Sequence, residues 1–212
     1  MSSDMALIDD VVLQVDNALR TLSGSRAALR DNPARDVAEA SLSVDEQAHA
    51  AGLMRVNHTG EICAQALYEG QALTAKDADT RSSRLSAAQE EADHLAWCEE
   101  RLVELGSKPS VLNPIFYAAS YAMGAVTGLL GDKVSLGFVE ATEDQVCQHL
   151  DSHLESLPKD DARSRAIVSR MHEDEARHGT EAISAGGIEF PRPVKNLMTL
   201  VSKIMTETSY KI

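Results

Sequence analysis

Glu91-Ala92-Asp93-His94 and Glu175-Ala176-Arg177-His178 are two stretches with the same spacing, E-x-x-H. On an α-helix, a Glu and a His three residues apart lie on one face about one turn apart, so both can reach one point beside the helix. That point is a candidate metal site. Glu46-Gln47-Ala48-His49 repeats the spacing in a polar run, where we expect a solvated surface. One copy alone therefore has little weight.

A further Glu precedes each of the two motifs at a similar distance. Glu61 lies 30 residues before Glu91, and Glu143 lies 32 residues before Glu175. In an antiparallel helix pair joined by a short turn, this separation brings the two positions level. Two Glu and two E-x-x-H turns form the ligand set of di-iron or di-manganese proteins of the ferritin-like class. The sequence thus predicts an all-α, ferritin-like four-helix bundle with the candidate ligands Glu61, Glu91, His94, Glu143, Glu175 and His178. Glu140 is a rival to Glu143.

Composition restricts the environment and the partners of the chain. The 212 residues suffice for one full core, and aromatic residues are only 4% of them, which favours helices over sheets. A net charge of −13 makes nucleic acid an unfavourable partner. The three cysteines, Cys63, Cys98 and Cys147, are odd in number and widely spaced, which fits a reducing compartment and buried thiols. The first residues show no export signal.

Hydrophobic periodicity predicts four ligand helices over residues 53–76, 82–106, 133–157 and 160–185. The second of them is expected to turn Leu85 inward. Amphipathic helices are predicted at 5–22, packed on the bundle or on a partner, and at 194–208, with 24–36 as a linker. We therefore divide the chain into an N-terminal helix and linker, 1–45, and a ferritin-like domain, 46–212.

Residues 109–131 contain no charged side chain. Their 23 residues exceed the ~20 that a helix needs to cross a bilayer. A single crossing would place Glu61 and Glu91 on one side of the membrane and Glu143 and Glu175 on the other, so it is incompatible with one metal site. We expect a helix or bent hairpin that lies in one leaflet or covers the bundle, and a fully buried helix is the alternative.

The ligand types favour particular metals and suggest supporting residues. Four carboxylates with two imidazoles suit iron or manganese better than zinc, and they balance the charge of two divalent ions. Asp174 and Glu90 directly precede the ligand Glu of each motif and could each bind the second nitrogen of the opposite His. His58, His149 and Tyr68 are further candidates for catalysis, although structural roles are the commoner outcome for such residues.

Several stretches together resemble one family. They are Arg55-Val56-Asn57-His58-Thr59-Gly60-Glu61 followed by Tyr68 and Gly70-Gln71, then Thr127-Gly128-Leu129-Leu130-Gly131, and then Glu143-Asp144 with His149. With the two E-x-x-H turns, they are similar in kind and order to the demethoxyubiquinone hydroxylase family of ubiquinone biosynthesis. The resemblance covers residues 50–212. The sequence departs from the family pattern at Cys63, Gln65, Ala66 and Leu150.

The resemblance implies a peripheral membrane di-iron monooxygenase on the cytoplasmic side of the cell membrane. The substrates would be dioxygen, an external reductant and a polyprenylated demethoxy-quinol, hydroxylated on the ring in the next-to-last step of ubiquinone synthesis. The family's two iron ions map onto the six residues above, which favours Glu143 over Glu140. A homo-oligomer or a ubiquinone-biosynthesis complex is compatible with it. Two other classes remain open: a ferritin-like iron-handling or peroxide-reducing protein, and a non-catalytic membrane scaffold.

Overall fold

The structure, a computed structural model, describes residues 2–24, 28–75 and 78–212, and within these ranges it contains helices and no strand. The prediction of an all-α fold is therefore confirmed. The seven helices are α1 (Ser2–Leu22), α2 (Val44–Thr74), α3 (Ala78–Glu104), α4 (Asn113–Leu129), α5 (Asp132–Ser156), α6 (Ala162–Ser184) and α7 (Arg192–Lys211).

Four of these helices form the bundle that the ligand spacing requires. Helix α2 packs on α3, α5 packs on α6, and contacts between α3 and α6 and between α2 and α5 join the two pairs. Helix α4 connects the pairs and lies along α2, while α7 returns to pack on α2 and α5. Because α2 is covered on several sides, nearly every residue from Ala50 to Ala72 is buried. This central helix carries the first ligand candidate, Glu61.

Helix α2 begins earlier than the periodicity predicts. Ser43 is its N-cap, and the Ser43 hydroxyl accepts from the Glu46 backbone while the Glu46 carboxylate accepts from the Ser43 backbone. This reciprocal capping box satisfies two backbone donors that would otherwise lack partners. Glu46 is exposed, as expected. The prediction is wrong for His49, which is half-buried and hydrogen-bonded to Tyr210 and Ser156, because the end of α7 folds back over α2.

Helix α1 packs on the bundle through only part of the apolar stripe that its sequence predicts. The side chains of Val12, Val15 and Leu19 are each more than half exposed. Leu22, at the end of the stripe, and Ala18 pack against the core cluster that contains Ile62 of α2. Thr21 adds a polar contact, because its hydroxyl donates to the buried Gln65 side chain at 3.1 Å. A buried amide needs such a partner, which explains why a polar residue of α1 turns inward. Three residues of the predicted stripe, Val12, Val15 and Leu19, are therefore left without cover.

Leu85 is a second correction on an amphipathic face. The periodicity of α3 predicts that it points into the bundle, yet its side chain is 50% exposed. The neighbouring Arg84 is buried in its place. A one-residue shift turns the helix face by about 100°. The polar residue therefore occupies a position that hydrophobic periodicity assigns to its neighbour.

The charge-free segment 109–131 folds into α4 and its flanking turns. Glycines allow α4 and α2 to approach closely: a β-carbon at Gly124 would overlap the Leu67 carbonyl, and one at Gly70 would overlap the Tyr121 carbonyl. The outer face of α4 is apolar and exposed, including Ile115 and Leu129. The segment covers the bundle, and the alternative of a fully buried helix is wrong. No helix in the described ranges combines the length and apolar character needed to span a bilayer.

The described residues 28–43 join α1 to α2 without a helix, but they pack firmly on the bundle. Ala34 lies in the same core cluster as Trp97 and Met171. Glu39 accepts hydrogen bonds from the buried guanidinium of Arg101. The segment predicted as a linker therefore contributes to the core, and the domain division at residue 45 stays a prediction.

Adding a methyl group at Gly124 should loosen the packing of α4 on α2. We expect Gly124→Ala to lower the free energy of unfolding by about 1–3 kcal/mol, because the new carbon meets a backbone carbonyl. Gly60→Ala is the matched control, since no described atom lies within 4 Å of its added carbon, and it should stabilise by about 0.4–1 kcal/mol. Urea unfolding measures both. Equal stability of the two variants would contradict the close approach.

Candidate metal centre

Six buried side chains from the four bundle helices converge on one point. They form two groups whose ligand atoms lie within 4.8 Å of one another, Glu61, Glu91, His94 and Glu175 in one and Glu91, Glu143, Glu175 and His178 in the other. The bundle thus brings together the whole set that the spacing predicts. It adds that Glu91 and Glu175 belong to both groups, so these two carboxylates would be shared if each group held an ion.

The two histidines face the centre in the same way. His94 Nδ1 lies 3.0 Å from a Glu175 oxygen and 3.3 Å from a Glu91 oxygen. His178 Nδ1 lies 3.2 Å from the other Glu175 oxygen and 3.4 Å from the other Glu91 oxygen. Each E-x-x-H turn therefore contributes its own Glu and His and also contacts the Glu of the opposite motif. This arrangement follows from packing α3 against α6 at the level of the two motifs.

Each of the two predicted supporting carboxylates lies beside the histidine expected for it, at the ring nitrogen that points away from the centre. Asp174 accepts a hydrogen bond from His94 Nε2 at 3.0 Å, and a Glu90 oxygen lies 3.5 Å from His178 Nε2. A carboxylate on one ring nitrogen fixes the tautomer and leaves the other nitrogen free to bind a metal. Nδ1 is the nitrogen directed at the centre in both cases.

Burial and mutual contact shift the pKa values of the cluster in opposite directions. Burial raises the pKa values of Glu61 and Glu143 well above their usual range. Burial disfavours protonated His178, but its hydrogen bond to Glu175 and its ion pair with Glu91 outweigh burial and raise the pKa of His178 to about 11. The same balance, with Asp174 as the leading partner, raises the pKa of His94. Without metal, protons and imidazolium ions compensate the crowded carboxylates.

The carboxylate oxygens of the cluster are better satisfied by a bound cation than by the hydrogen bonds available within the cluster. Among the described residues, both Glu91 oxygens and one oxygen each of Glu61, Glu143 and Glu175 are buried and accept no hydrogen bond. Buried carboxylate oxygens without partners are costly unless they are paired or coordinate a metal. Oxygen-rich sites with imidazole suit iron or manganese. The donor set therefore fits a pair of such ions.

Arg30 is a supporting residue that the sequence pattern did not reveal. Its guanidinium donates to Asp93 at 2.6 Å and to Asp174 at 2.7 Å, and it lies over the Trp97 ring at 5.0 Å. Arg30 thus holds the carboxylate that holds His94. It comes from the segment predicted as a linker, where no periodicity or motif marks it. Only the return of this segment across α3 and α6 places it here.

The remaining candidates separate by their contacts. Tyr68 is fully buried and donates a hydrogen bond to Glu143 at 2.7 Å, so it belongs to the centre. Glu140 pairs with Lys195 at 2.9 Å and lies in neither group. His58 bonds Asn113, and burial lowers the pKa of His58 to about 4. His149 contacts the His153 ring, and neither it nor His58 is in the two metal-binding groups of the described chain.

Two other sequence features have structural explanations. Gln65, a departure from the family pattern, bridges Thr21 and the backbone carbonyl of Ala88 within the core. Among the cysteines, Cys98 is buried as expected, while Cys63 and Cys147 are partly exposed. Neither feature removes a ligand candidate.

Comparison with known proteins agrees with this site. The sequence profile of the family described as "Ubiquinone biosynthesis protein COQ7" matches residues 48–209. A relative from Ectopseudomonas mendocina, named 3-demethoxyubiquinol 3-hydroxylase, is 60% identical over 97% of this chain and 96% of its own length. Relatives of the same name from Marinomonas sp. and Stutzerimonas stutzeri are 56% and 58% identical, covering 98% and 96% of this chain and 100% and 95% of their own. The predicted resemblance is confirmed, and the chain belongs to the COQ7 family of ubiquinone biosynthesis proteins.

Proposed function

We propose that the six clustered residues bind two iron ions, with Glu91 and Glu175 shared between them. The two overlapping groups of ligand atoms support this assignment, as does the number of buried carboxylate oxygens without hydrogen bonds. Four carboxylates balance two divalent ions, so loading removes the need for protons inside the cluster. Iron bound there supplies the capacity to activate dioxygen.

The function that this site supports best is hydroxylation of the quinol ring of a polyprenylated demethoxyubiquinol with dioxygen and an external reductant. The observation that carries it is the mirrored Glu and His cluster in a chain 60% identical to a protein named 3-demethoxyubiquinol 3-hydroxylase. This would be the penultimate step of ubiquinone biosynthesis. The ferritin-like iron-handling or peroxide-reducing alternative shares the cluster, but the relatives' names do not favour it.

The surrounding side chains have distinct tasks in this reaction. Asp174, held by Arg30, fixes the ring of His94, and Glu90 lies behind His178 in the equivalent place. Tyr68 orients Glu143 through its hydroxyl. The packed apolar residues around α2 exclude bulk water, which strengthens each electrostatic contact within the site.

We further propose that the protein binds the cytoplasmic surface of the cell membrane through apolar side chains. Exposed Leu, Val and Ile residues lie along α1, α4 and α7, for example Leu19, Leu129 and Leu200. Since the net charge of −13 opposes binding to anionic lipid, apolar burial would have to drive the association. A groove of about 440 Å³ between α2, α5 and α7, with Leu53 and Val56 in its wall, offers room for the first part of a polyprenyl tail. A homo-oligomer or a biosynthetic complex could use the same faces.

Metal stoichiometry should follow the sharing of ligands. We expect Glu175→Ala to lose both ions while the fold survives, because it removes a shared ligand together with a buried charge. Glu143→Ala removes a ligand of one group only and should retain about one ion. Glu140→Ala, one turn away and outside both groups, is the control and should retain two. Iron analysis with circular dichroism measures this, and full loading of Glu175→Ala would contradict the assignment.

Arg30→Gln should weaken metal binding although Arg30 touches no metal ligand directly. Arg30 and His94 both donate to Asp174 Oδ2, while Arg170 and Arg177 donate to Oδ1. Loss of the Arg30 hydrogen bond therefore loosens the oxygen that orients His94, an effect of about 10- to 100-fold in affinity. Arg35→Gln is the matched control, because Arg35 is an exposed arginine of the same segment that pairs with Asp31. Competition with a chromophoric chelator measures both affinities. Equal affinities would exclude this support.

Labelled dioxygen tests the reaction itself. We expect iron-loaded protein, supplied with a demethoxyquinol, a reductant and ¹⁸O₂, to place one labelled oxygen atom on the product ring. Glu175→Ala should form no product. Turnover of hydrogen peroxide without ring hydroxylation would support the peroxide-reducing alternative instead.

Membrane binding should depend on the apolar faces and not on charge. We expect the protein to float with neutral phospholipid vesicles at both low and high salt, and Leu129→Glu with Leu200→Glu to reduce binding by about tenfold or more. Val103→Glu is the control, because this exposed apolar residue lies on α3. If Val103→Glu weakens binding as much as the pair does, the assignment of the surface is wrong.

A further inference from the structure

Arg84 has a buried guanidinium group. Nearby carboxylates attract its positive charge, but two of its nitrogens have no hydrogen-bond partner in the described chain. Only 3% of the residue is exposed. Within the described chain, Arg84 Nε and Nη2 are buried and have no hydrogen-bond partner. Glu143, Asp132 and Tyr68 act on it through longer-range attraction, and the Tyr68 ring centroid lies 5.8 Å from the guanidinium carbon. A buried charge without direct partners is expensive, so its presence calls for a ligand.

The guanidinium lies in the wall of a cavity that leads to the metal centre. This cavity has a volume of about 190 Å³ and lies between α3 and α6, where it is also lined by Tyr68, Ser86 and His178. Helices α4 and α7, which carry exposed apolar faces, pack on α2 and α5. The cavity shares no lining residue with the groove between α2, α5 and α7. Its serine, arginine and glutamate side chains suit it to a polar solute.

Among the charged side chains that line the cavity, Arg84 is the one without a direct partner in the described chain. Glu90 accepts a hydrogen bond from Arg177 and also lies 3.7 Å from Arg30. Glu181 lies 3.6 Å from Arg177. Both carboxylates in the cavity wall thus have arginine partners. A ligand that completes the charge balance must be an anion.

The geometry of the free donors specifies what kind of anion. The N–H bonds at Nε and Nη2 lie side by side on one edge of the guanidinium and form the fork that binds two oxygens of a carboxylate. Because both nitrogens are buried, binding requires the guanidinium to turn about the last bonds of the Arg84 side chain until this edge faces the cavity. A single halide ion cannot accept both bonds with good geometry, whereas a planar anion with two oxygens can.

We propose that the cavity beside Arg84 binds a small planar oxyanion, a short monocarboxylate or bicarbonate, from the aqueous phase. The ligand would accept two hydrogen bonds from Arg84 and fill the approach to His178 and Tyr68. The ligand would regulate the entry of small polar solutes to the metal centre and would leave the groove between α2, α5 and α7 unoccupied. This assignment does not depend on the hydroxylase function.

Equilibrium dialysis of full-length protein against labelled formate tests the proposal. At constant ionic strength we expect one saturable site per chain, with bicarbonate competing and with chloride and the neutral formamide not competing. Arg84→Met should weaken formate binding by about tenfold or more, and Arg84→Lys, which keeps the charge but loses the fork, should also weaken it. Arg81→Met is the matched control, because Arg81 is exposed one turn earlier on the same helix, and it should bind formate normally.

Two further measurements separate ligand binding from a structural role and from metal coordination. Without formate, Arg84→Met should unfold at the same temperature as the native protein or higher, because an unpaired buried charge has been removed; formate should raise only the native protein's midpoint. Formate binding should persist after a chelator removes the metal. The proposal is overturned if formate does not saturate, if Arg84→Lys and Arg84→Met bind it as the native protein does, or if binding disappears with the metal.

Discussion

Four carboxylates and two imidazoles buried at one level of a helical bundle set the conditions that the rest of the structure has to meet. The negative charges of such a group repel one another in a low-dielectric interior unless protons or cations compensate them. The raised pKa values of Glu61, Glu143 and the two histidines describe one solution, in which the cluster holds protons. Two divalent ions offer the other. The bundle is arranged so that either compensation is available at the same place.

Support for this cluster comes from every side of the bundle. Arg30, from the segment before α2, fixes Asp174 and through it His94. Tyr68, on α2, holds Glu143. Interactions with partners outside the six residues limit the rotamers of the ligands, so that the donor atoms are already close before a metal arrives. The conformational entropy of these side chains is therefore lost when the protein folds and not when a metal binds.

Helix α2 connects the centre to the surface of the molecule. It carries Glu61 inside, and its glycine face allows α4 to lie close against it. The apolar residues on the outer face of α4 are then left exposed, together with those of α1 and α7. The polar site and the large apolar surface are thus close together, separated only by the thickness of a few helices. A substrate with a polar ring and a long isoprenoid tail can therefore place its ring near the site while its tail lies against the apolar surface.

The sequence by itself determined the helical fold and the family, because a helix fixes the direction of side chains by their spacing and the motifs occur in the order that the family shows. Spacing identified five of the six clustered residues and left Glu140 as a rival to Glu143, and the family resemblance decided between these two. It also placed Asp174 and Glu90 behind the histidines. Tertiary structure decided what spacing does not encode: that Glu91 and Glu175 belong to both groups of ligand atoms, that His49 is covered by α7, that α1 turns Thr21 inward, that Leu85 is exposed while Arg84 is buried, and that Arg30 reaches the carboxylate beside His94. These outcomes depend on contacts between residues far apart in the chain. Thr21 and Arg30, for example, turn toward Gln65 and Asp174 because these buried side chains need hydrogen-bond partners.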